Sequence, residues 1–562
     1  MKKRLTSLLS LLLVLVLLAG CGGITTGGDA APSGTGTPGG TADPADPSGS
    51  GTPTAAEQTF RFAVLDDPDS FDPGYTLNTF AAPVFFNCFV GLVRYNLDNE
   101  LVPGAAESWD ISEDGRTWTF HLVDGAKWSN GSPVTAEDFA FAWQRVLTPE
   151  FGSAAANTLY QYILNAESFY KGECAWEDVG VKAVDETTLE VTLKDPCGYF
   201  PALLATWTYM PVCKEVVEAN PDWATDYDNY VSNGPFKLDS YRMGEGIYLV
   251  KNENYWLADQ VKLEKLDLMI FQDLSTALNA YEAGQLDGLT SVPSTSVPSL
   301  KGRDDFYSVP QFSNTYWMFN TKDEALSDVR VRKALALAID RTSLIEDVLQ
   351  SDAQPATGHV PTGYVQSDGQ DFRAAGGDYD IGATAKVDEA KALLAEAGYD
   401  DPSQLTVRLN YYTSDTVKKV TEALADMWQT NLGINCVIES AEWAVFYDQI
   451  LALDYGVAAM GDQATYLHPM AFLQTYQGDA PPLETGWRSQ DYENYIAQAM
   501  STTDSAEADR FLHAAEDLFM NDYVLLPLYY GSMRMMMKDY VSNWSMPATG
   551  QYVFDQIEIL PH

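Results

Sequence analysis

An apolar run near the amino terminus limits where folded structure can begin. Three cationic residues at positions 2–4 precede an apolar stretch over residues 8–18, and small residues then lead to Cys21. A charged start, a short apolar segment and a small-residue end are typical of a signal peptide. Because the run is too short to span a bilayer comfortably, we expect a signal peptide over residues 1–20 rather than a membrane helix.

Cys21 stands where such a signal peptide would be cleaved. The sequence LAGC at 18–21 resembles a bacterial lipobox, in which the cysteine is lipidated and becomes the mature amino terminus. The alternative is an ordinary signal peptide with a chance cysteine. Lipidation of Cys21 would place the protein outside the cytoplasm, anchored to the cell membrane by its lipid alone.

The tract after Cys21 cannot form a core. Residues 22–56 consist almost entirely of Gly, Thr, Ala, Pro, Ser and Asp, and Ile24 is the only large apolar residue among them. Such a segment buries too little surface to offset its ordering entropy, so we expect residues 21–56 to be a disordered tether. The chain from Glu57 onward is too long for one core and predicts two or three lobes.

Charge and composition exclude several classes of protein. The net charge of −45 argues against binding to nucleic acid, which requires basic patches. Five cysteines lie beyond the tether: Cys88, Cys174, Cys197, Cys213 and Cys436. At most two disulfides can form among them, and their pairing is left open. Neither the cysteines nor the five scattered histidines have the spacing of metal ligands, so we expect no metal and no cofactor.

Apolar periodicity indicates a mixed architecture. Alternating apolar and polar residues predict strands around Phe62, Phe120 and Val191. Apolar residues at helical spacing predict helices over residues 135–146, 328–349, 385–397 and 415–432. Strand-like runs at 405–409 and 435–439 follow the last two helices. Because strand and helix alternate in the second half, the sequence predicts α/β lobes with mixed sheets.

A series of motifs identifies a family. AESWD at 106–110, DGRTWTFHL at 114–122 and KWSNGSPVTAEDF at 127–139 form one block. They are followed in order by VSNGPF at 231–236, KNENYW at 251–256, YEAGQLD at 281–287, DVRVRKALALAIDR at 328–341 and EAKALLAEAGY at 389–399. Together they resemble the oligopeptide- and dipeptide-binding proteins of ABC importers, the extracellular solute-binding proteins of family 5. The resemblance extends over residues 57–562.

The resemblance implies an α/β, two-lobed periplasmic-binding-protein-like fold of type II, the large oligopeptide-binding class, with an extra inserted domain. The implied parts are lobe I at 57–90, 214–315 and 529–562, the inserted domain at 91–213, and lobe II at 316–528. The chain would cross between the lobes near Asn314 and Leu528, which we therefore expect to form the hinge.

The most conspicuous motif residues favour structural roles. Trp128 and Thr135, with the Asn-Gly pair between them, fit a turn followed by a capped helix. The three arginines of the later helical motif fit a solvated helix face or a contact with a partner; they are Arg330, Arg332 and Arg341.

The ligand site is implied by the resemblance. In peptide-binding relatives the ligand lies extended between the lobes and pairs through its backbone with strand-like segments of the protein. The positions that match those segments and the aromatic pocket wall are Leu77, Asn78, Thr79, Trp443, Gly461, Asp462 and Gln463. A core position is the alternative for Trp443.

One position departs from the family pattern. The relatives carry an aspartate that holds the ligand's α-ammonium in a motif of the form Gly-Trp-x-x-Asp-Tyr-x-x-Pro. The matching run here is GDQATYLHP at 461–469, which keeps Tyr466 but has Thr465 in place of that aspartate. Either Asp462 binds the ammonium, or the ligand lacks a free amino terminus, or it is not a peptide; we favour the first slightly. For His468, an exposed loop position is favoured over ligand contact.

Together these expectations predict a role in solute transport. The chain is expected to be the extracytoplasmic substrate-binding lipoprotein of an ABC importer, a monomer that delivers oligopeptides to partner permease and ATPase subunits. The alternatives are the same role for a non-peptide or N-terminally blocked ligand, and a secreted hydrolase. Neither a GxSxG elbow in the folded part nor an HExxH zinc motif is present, so we expect no enzyme activity.

Overall fold

A large mixed sheet organises the part of the chain that the structure describes. The computed structural model describes residues 57–478, 481–546 and 548–562, so the predicted signal peptide, Cys21 and the tether lie outside the described residues. The strands are β1 Thr59–Val64, β2 Val93–Tyr95, β3 Leu101–Pro103, β4 Ala106–Ile111, β5 Thr117–Leu122, β6 Val181–Ala183, β7 Thr188–Thr192, β8 Phe236–Arg242, β9 Gly246–Lys251, β10 Lys265–Ile270, β11 Gly288–Thr290, β12 Phe306–Phe319, β13 Gln354–Pro355, β14 Thr406–Tyr412, β15 Asn435–Ala441, β16 Val457–Gln463, β17 Leu525–Met537, β18 Val541–Ser542 and β19 Glu558–Ile559.

Helices cover the strands. They are α1 Ala82–Cys88, α2 Ala136–Leu147, α3 Ala156–Tyr160, α4 Ala166–Tyr170, α5 Phe200–Leu204, α6 Lys214–Ala219, α7 Leu274–Glu282, α8 Val297–Leu300, α9 Val329–Leu337, α10 Arg341–Ser343, α11 Phe372–Ala375, α12 Val387–Glu396, α13 Asp415–Leu432, α14 Trp443–Leu451, α15 Met470–Leu473, α16 Gln490–Ser501 and α17 Ser505–Asn521. Short 3-10 helices occupy Thr79–Ala81, Pro149–Phe151, Trp176–Asp178, Trp207–Tyr209, Tyr227–Asn229, Ala258–Gln260, Ser294–Ser296, Pro402–Gln404 and Gln474–Tyr476. Within the described ranges, no helix combines the length and the apolarity needed to cross a bilayer.

The large sheet has two halves joined by its two longest strands. Its order is β15-β14-β16-β12-β17-β11-β1-β10-β9-β8, with β13 also paired to β17. In the first half β1 runs parallel to β10 and β11, and in the second half β14 runs parallel to β15 and β16. Among the described strands, β12 and β17 join the two halves, because β12 pairs with β16 and β17 pairs with β11.

The pairing of β12 with β17 is interrupted at the centre of the sheet. Residues 306–310 and 314–318 of β12 both pair with β17, and the register shifts between the two stretches. Gly531 of β17 lies at this shift, where a Cβ atom would collide with the hydroxyl of Ser313. The irregularity marks the place where the ladder is weakest.

A second, smaller sheet confirms the strand predictions around Phe120 and Val191. Its order is β4-β5-β7-β6, and α2 packs beside it. The predicted cap of α2 is also confirmed, because the Thr135 hydroxyl accepts a hydrogen bond from the backbone N–H of Asp138. The Asp138 carboxylate accepts hydrogen bonds from the Thr135 N–H and from the Trp128 indole. The motif residues therefore close a turn and fix a helix start, as predicted.

The helix predicted over residues 328–349 is wrong as a single element. Helix α9 ends at Leu337, and Asp340 then caps α10 by accepting the N–H of Ser343. A π-helical turn over Leu344–Val348 follows. The aspartate competes for backbone donors and so starts a new helix instead of continuing the old one. By contrast, α13 has the predicted bounds and ends at Gly433, which has a φ of 78°.

The prediction of a solvated arginine face is also wrong for two of its three residues. Arg332 and Arg341 are buried, and they donate to backbone carbonyl groups of Leu326, Tyr523 and Pro527 among others. Buried carbonyl groups need partners, and these guanidinium groups supply several donors each. Of the three arginines, only Arg330 is exposed, where it pairs with Asp328.

All five cysteines within the described residues are free thiols. Cys88, Cys197 and Cys213 are buried, whereas Cys174 and Cys436 are partly exposed. Burial raises the pKa of Cys197 to about 12, which disfavours the reactive thiolate. The sequence left the disulfide pairing of these five cysteines open, and in the described part of this structure they form no disulfide.

A buried ion pair between α11 and α17 gives a prediction about stability. Arg373 donates to Glu516 at 2.6 Å, and the side chains are only 4% and 0% exposed. The same carboxylate accepts the backbone N–H groups of His359 and Val360. Glu516→Gln leaves a buried guanidinium without its counter-charge, so we expect the free energy of unfolding to fall by about 3–5 kcal/mol.

Urea denaturation measures this loss. The matched control is Glu507→Gln, which removes an exposed pair with Arg510 and should cost about 1 kcal/mol or less. Equal losses in the two variants would contradict the structural role of the buried pair.

Candidate ligand-binding site

A cavity of about 530 Å³ lies where the two halves of the large sheet meet. It is lined by residues of β1, α1, β11, β12 and β17, by the end of β16 and the segment after it, by the 3-10 helices at 79–81 and 207–209, and by the chain near residue 550. The lining residues are Phe62, Val64, Leu65, Thr79, Phe80, Ala82, Pro83, Phe86, Trp207, Thr290, Ser291, Val292, Gln311, Gln463, Ala464, Thr465, Ser532, Met533, Arg534, Thr549, Gly550, Gln551 and Tyr552. Both halves of the sheet therefore contribute to one cavity.

Strand ends explain why the cavity forms here. The parallel strands β1 and β11 end next to it, and Leu65, Ser291 and Val292 continue the chain around its rim. Ligands of open α/β sheets bind outside the carboxyl ends of the parallel strands. The Asn78 side chain accepts the N–H of Phe80 and so fixes the start of the 3-10 helix that leads into α1.

The wall chemistry is aromatic and polar. Phe62, Phe80, Phe86, Trp207 and Tyr552 supply apolar surface. Hydroxyl and amide groups of Thr, Ser and Gln side chains supply uncharged hydrogen-bonding groups between them. An apolar cavity with a few converging polar groups is typical of a small-molecule site.

Three of the predicted site residues lie in this cavity: Thr79, Gln463 and Thr465. Leu77 is 44% exposed beside it, and Asn78 acts as the cap described above. The remaining positions, Gly461, Asp462, Tyr466 and Trp443, are not among the lining residues.

Trp443 stands apart from the cavity. It begins α14 and is 51% exposed. Its ring packs edge-on against Tyr412 at 5.2 Å and lies near Tyr447. Trp443 is therefore not a core residue, and it is not among the residues that line this cavity.

The side chain of Asp462, near the end of β16, faces Tyr316 of β12. Its carboxylate accepts the hydroxyl of Tyr316 at 2.6 Å, and the Tyr476 hydroxyl donates to that of Tyr316 at 2.8 Å. Burial raises the pKa of Asp462 to about 6. One oxygen of the carboxylate expected to hold a ligand ammonium therefore accepts a tyrosine hydroxyl, and Asp462 is not among the residues that line the cavity.

The expectation that His468 is exposed is wrong. His468 is buried, and its ring stacks on Tyr199 at 4.8 Å and meets Tyr364 edge-on at 5.2 Å. The neighbouring N–H of Leu467 donates to the Tyr95 hydroxyl at 3.1 Å. Contacts with Tyr199 and Tyr364, which are both distant in sequence, account for this burial, and no local pattern reveals them.

Several residues that line the cavity were not predicted from the sequence, among them Trp207, Arg534, Gln551 and Tyr552. For Arg534 a signal existed. It is the only charged residue in the strand LLPLYYGSMRMMM at 525–537, where it interrupts an otherwise uncharged run.

The architecture is that of a two-lobed α/β protein with a cavity where the two halves of the large sheet meet. The family model for bacterial extracellular solute-binding proteins, family 5, matches residues 100–482. The chain is 35% identical to oligopeptide-binding protein OppA of Bacillus subtilis over 507 residues, which cover 88% of this chain and 92% of OppA. The chain belongs to this family of solute-binding proteins.

Two further comparisons bear on the site. The chain is 32% identical to the probable deoxycholate-binding periplasmic protein YgiS of Escherichia coli, over 90% of this chain and 94% of YgiS. The unliganded open form of the periplasmic murein tripeptide-binding protein MppA superimposes with a TM-score of 0.81 at 30% identity, covering 91% of this chain and 99% of MppA.

Burial of His468 predicts how stability depends on pH. Burial lowers its pKa to about 3, so the folded protein resists protonation that the unfolded chain accepts below about pH 6.5. The contribution of His468 to the free energy of unfolding should therefore be constant above pH 6.5. It should decrease as the pH falls toward 3, by about 1.4 kcal/mol per pH unit. His468→Phe keeps a ring against Tyr199 but cannot take up a proton, so its stability should fall less steeply.

Urea denaturation between pH 4.5 and 7 measures the two slopes. His121→Phe is the control, because His121 is partly exposed on β5. Parallel curves for the wild type and His468→Phe would contradict the predicted coupling.

Proposed function

We propose that the chain is the extracytoplasmic substrate-binding component of an ABC importer and that it captures oligopeptides between its two lobes. The observation that carries this proposal is the cavity built by both halves of the sheet. Relatives named oligopeptide-binding proteins match the chain along most of its length, which supports peptides as the ligand class.

The lobes are proposed with the bounds expected from the sequence: 57–90, 214–315 and 529–562 for lobe I, 91–213 for the inserted domain, and 316–528 for lobe II. The register shift between β12 and β17 supports a hinge near Asn314 and Leu528. The likeness to an unliganded open form supports an open state for this structure. A ligand that contacts both lobes would then shift the protein toward a closed state by its differential affinity.

The proposal also includes delivery of the bound ligand to a membrane transporter. The closed form would dock on a membrane permease whose ATPase subunits supply the energy. Lipidation of Cys21 would keep the receptor on the cell membrane, and the tract to residue 56 would let it reach the permease as a monomer. A secreted hydrolase is not proposed, because matched relatives are solute-binding proteins.

A second candidate is the same transport role for a ligand that is not a free peptide. Thr465 lines the cavity without a charge, and Asp462 is bonded to Tyr316. A buried ammonium without a carboxylate partner is costly to desolvate. A relative named as a probable deoxycholate-binding protein supports this candidate further.

Native mass spectrometry of protein purified without unfolding tests both candidates. We expect an adduct whose mass distinguishes a peptide from another solute. Thr465→Trp should abolish the adduct, because the indole fills part of the 530 Å³ cavity. Val445→Trp is the matched control, because Val445 is 55% exposed on α14 and should leave the adduct unchanged.

Asp462→Asn belongs to the same experiment. Since the carboxylate faces Tyr316, we expect this variant to retain the adduct. Its affinity should stay within about threefold of the wild type, which is less than the tenfold change that one pKa unit of interaction corresponds to. A loss greater than tenfold by calorimetry would show that Asp462 binds the ligand after all. Retention of the adduct by Thr465→Trp would place the ligand outside this cavity.

A further inference from the structure

The charge on the cavity wall is unlike the charge on the rest of the chain. The protein carries 79 acidic and 34 basic residues, for a net charge of −45. Yet among the described residues that line the cavity no aspartate or glutamate occurs, and Arg534 is the only charged side chain. A wall of this kind offers one cationic group to an anion and no anionic group to a cation.

The guanidinium of Arg534 is held from one side. Its Nε donates to the Asp352 carboxylate at 2.8 Å, and Ser532 donates to the same oxygen at 3.1 Å. The Arg534 side chain is only 17% exposed and that of Asp352 12%. Asp352 lies behind the wall and is not among the lining residues. The ion pair therefore fixes the guanidinium without placing a negative charge on the cavity wall.

The far side of this guanidinium remains available. No described residue forms a hydrogen bond with either terminal NH₂ group of Arg534. Two parallel N–H groups match the two oxygens of a carboxylate, and such bidentate pairs are stronger than neutral hydrogen bonds. Because Arg534 is mostly removed from solvent, screening by water and salt is reduced there.

A cationic group would find no equivalent partner. Thr465, Gln463 and Gln551 offer only hydroxyl and amide groups, and Asp462 is bonded to Tyr316. Uncharged oxygens compensate only part of the cost of removing an ammonium from water. The cavity therefore discriminates between the two ends of a zwitterion.

We propose that Arg534 binds a carboxylate of the ligand and that the site does not require a free ammonium. This inference rests on the proposed function and names the ligand chemistry of the same cavity. The carboxylate has two possible sources, the carboxyl terminus of a peptide and the acid group of an apolar molecule such as deoxycholate. Both combine an anion with apolar surface, which the aromatic wall can cover.

Calorimetry with defined probes tests the inference. The probes are the peptide Ala-Phe-Leu-Ala in its free, N-acetylated and C-amidated forms, and deoxycholate with its methyl ester. We expect the N-acetylated peptide to bind within threefold of the free peptide, and the amide at least tenfold more weakly. If the source is the apolar acid instead, deoxycholate should bind at least tenfold more tightly than its ester.

Variants assign the effect to Arg534. Arg534→Gln should weaken the acidic probes at least tenfold and leave the amide or ester unaffected. Because that change leaves Asp352 unpaired, the double variant Asp352→Asn with Arg534→Gln keeps the site neutral and should show the same loss. Arg242→Gln, which removes an exposed arginine paired with Glu245, is the matched control and should bind like the wild type.

The outcomes separate this inference from the proposed function. Equal affinity of an acidic probe for the wild type and for Arg534→Gln would overturn the role of Arg534 and leave the binding function intact. A copurified adduct without an acid group would do the same. Failure of every probe to bind, together with no adduct in the native mass spectrum, would overturn both proposals.

Discussion

The antiparallel pairing of β12 with β17 holds the two halves of the large sheet together. Of the strands that the structure describes, these two join the halves of the large sheet, and their register shifts where the halves meet. The cavity lies beside this shift, and β17 contributes Ser532, Met533 and Arg534 to its wall. The same ladder therefore joins the two halves of the sheet, contains the register shift between them and presents the one charged group of the cavity wall within the described residues.

Polar groups are satisfied differently in the core and in the cavity. In the core, Glu516 balances Arg373, and Asp462 accepts the hydroxyl of Tyr316. The cavity wall holds one guanidinium whose counter-ion lies behind it. The terminal NH₂ groups of that guanidinium form no hydrogen bond with a described residue, so they are free to bind a ligand in the cavity.

Local signals in the sequence predicted local structure well. The caps at Thr135 and Gly433 fixed α2 and α13, and alternation gave β5 and β7. The family motifs indicated the two-lobed fold. The errors concern residues whose surroundings come from distant parts of the chain: Arg332 and Arg341 satisfy remote carbonyl groups, and His468 stacks on Tyr199. Trp443 and Asp462 keep their place in the motif but have other neighbours, and sequence position alone does not determine those.

The distance between the lobes shows whether a ligand in the cavity bends the sheet at β12 and β17. Spin labels at Met243 and Val445, both exposed and on opposite halves, report that distance after Cys174 and Cys436 are replaced by serine. The account predicts that the ligand recovered by native mass spectrometry shifts the distance distribution to shorter values. An unchanged distribution at a saturating concentration of that ligand would contradict it.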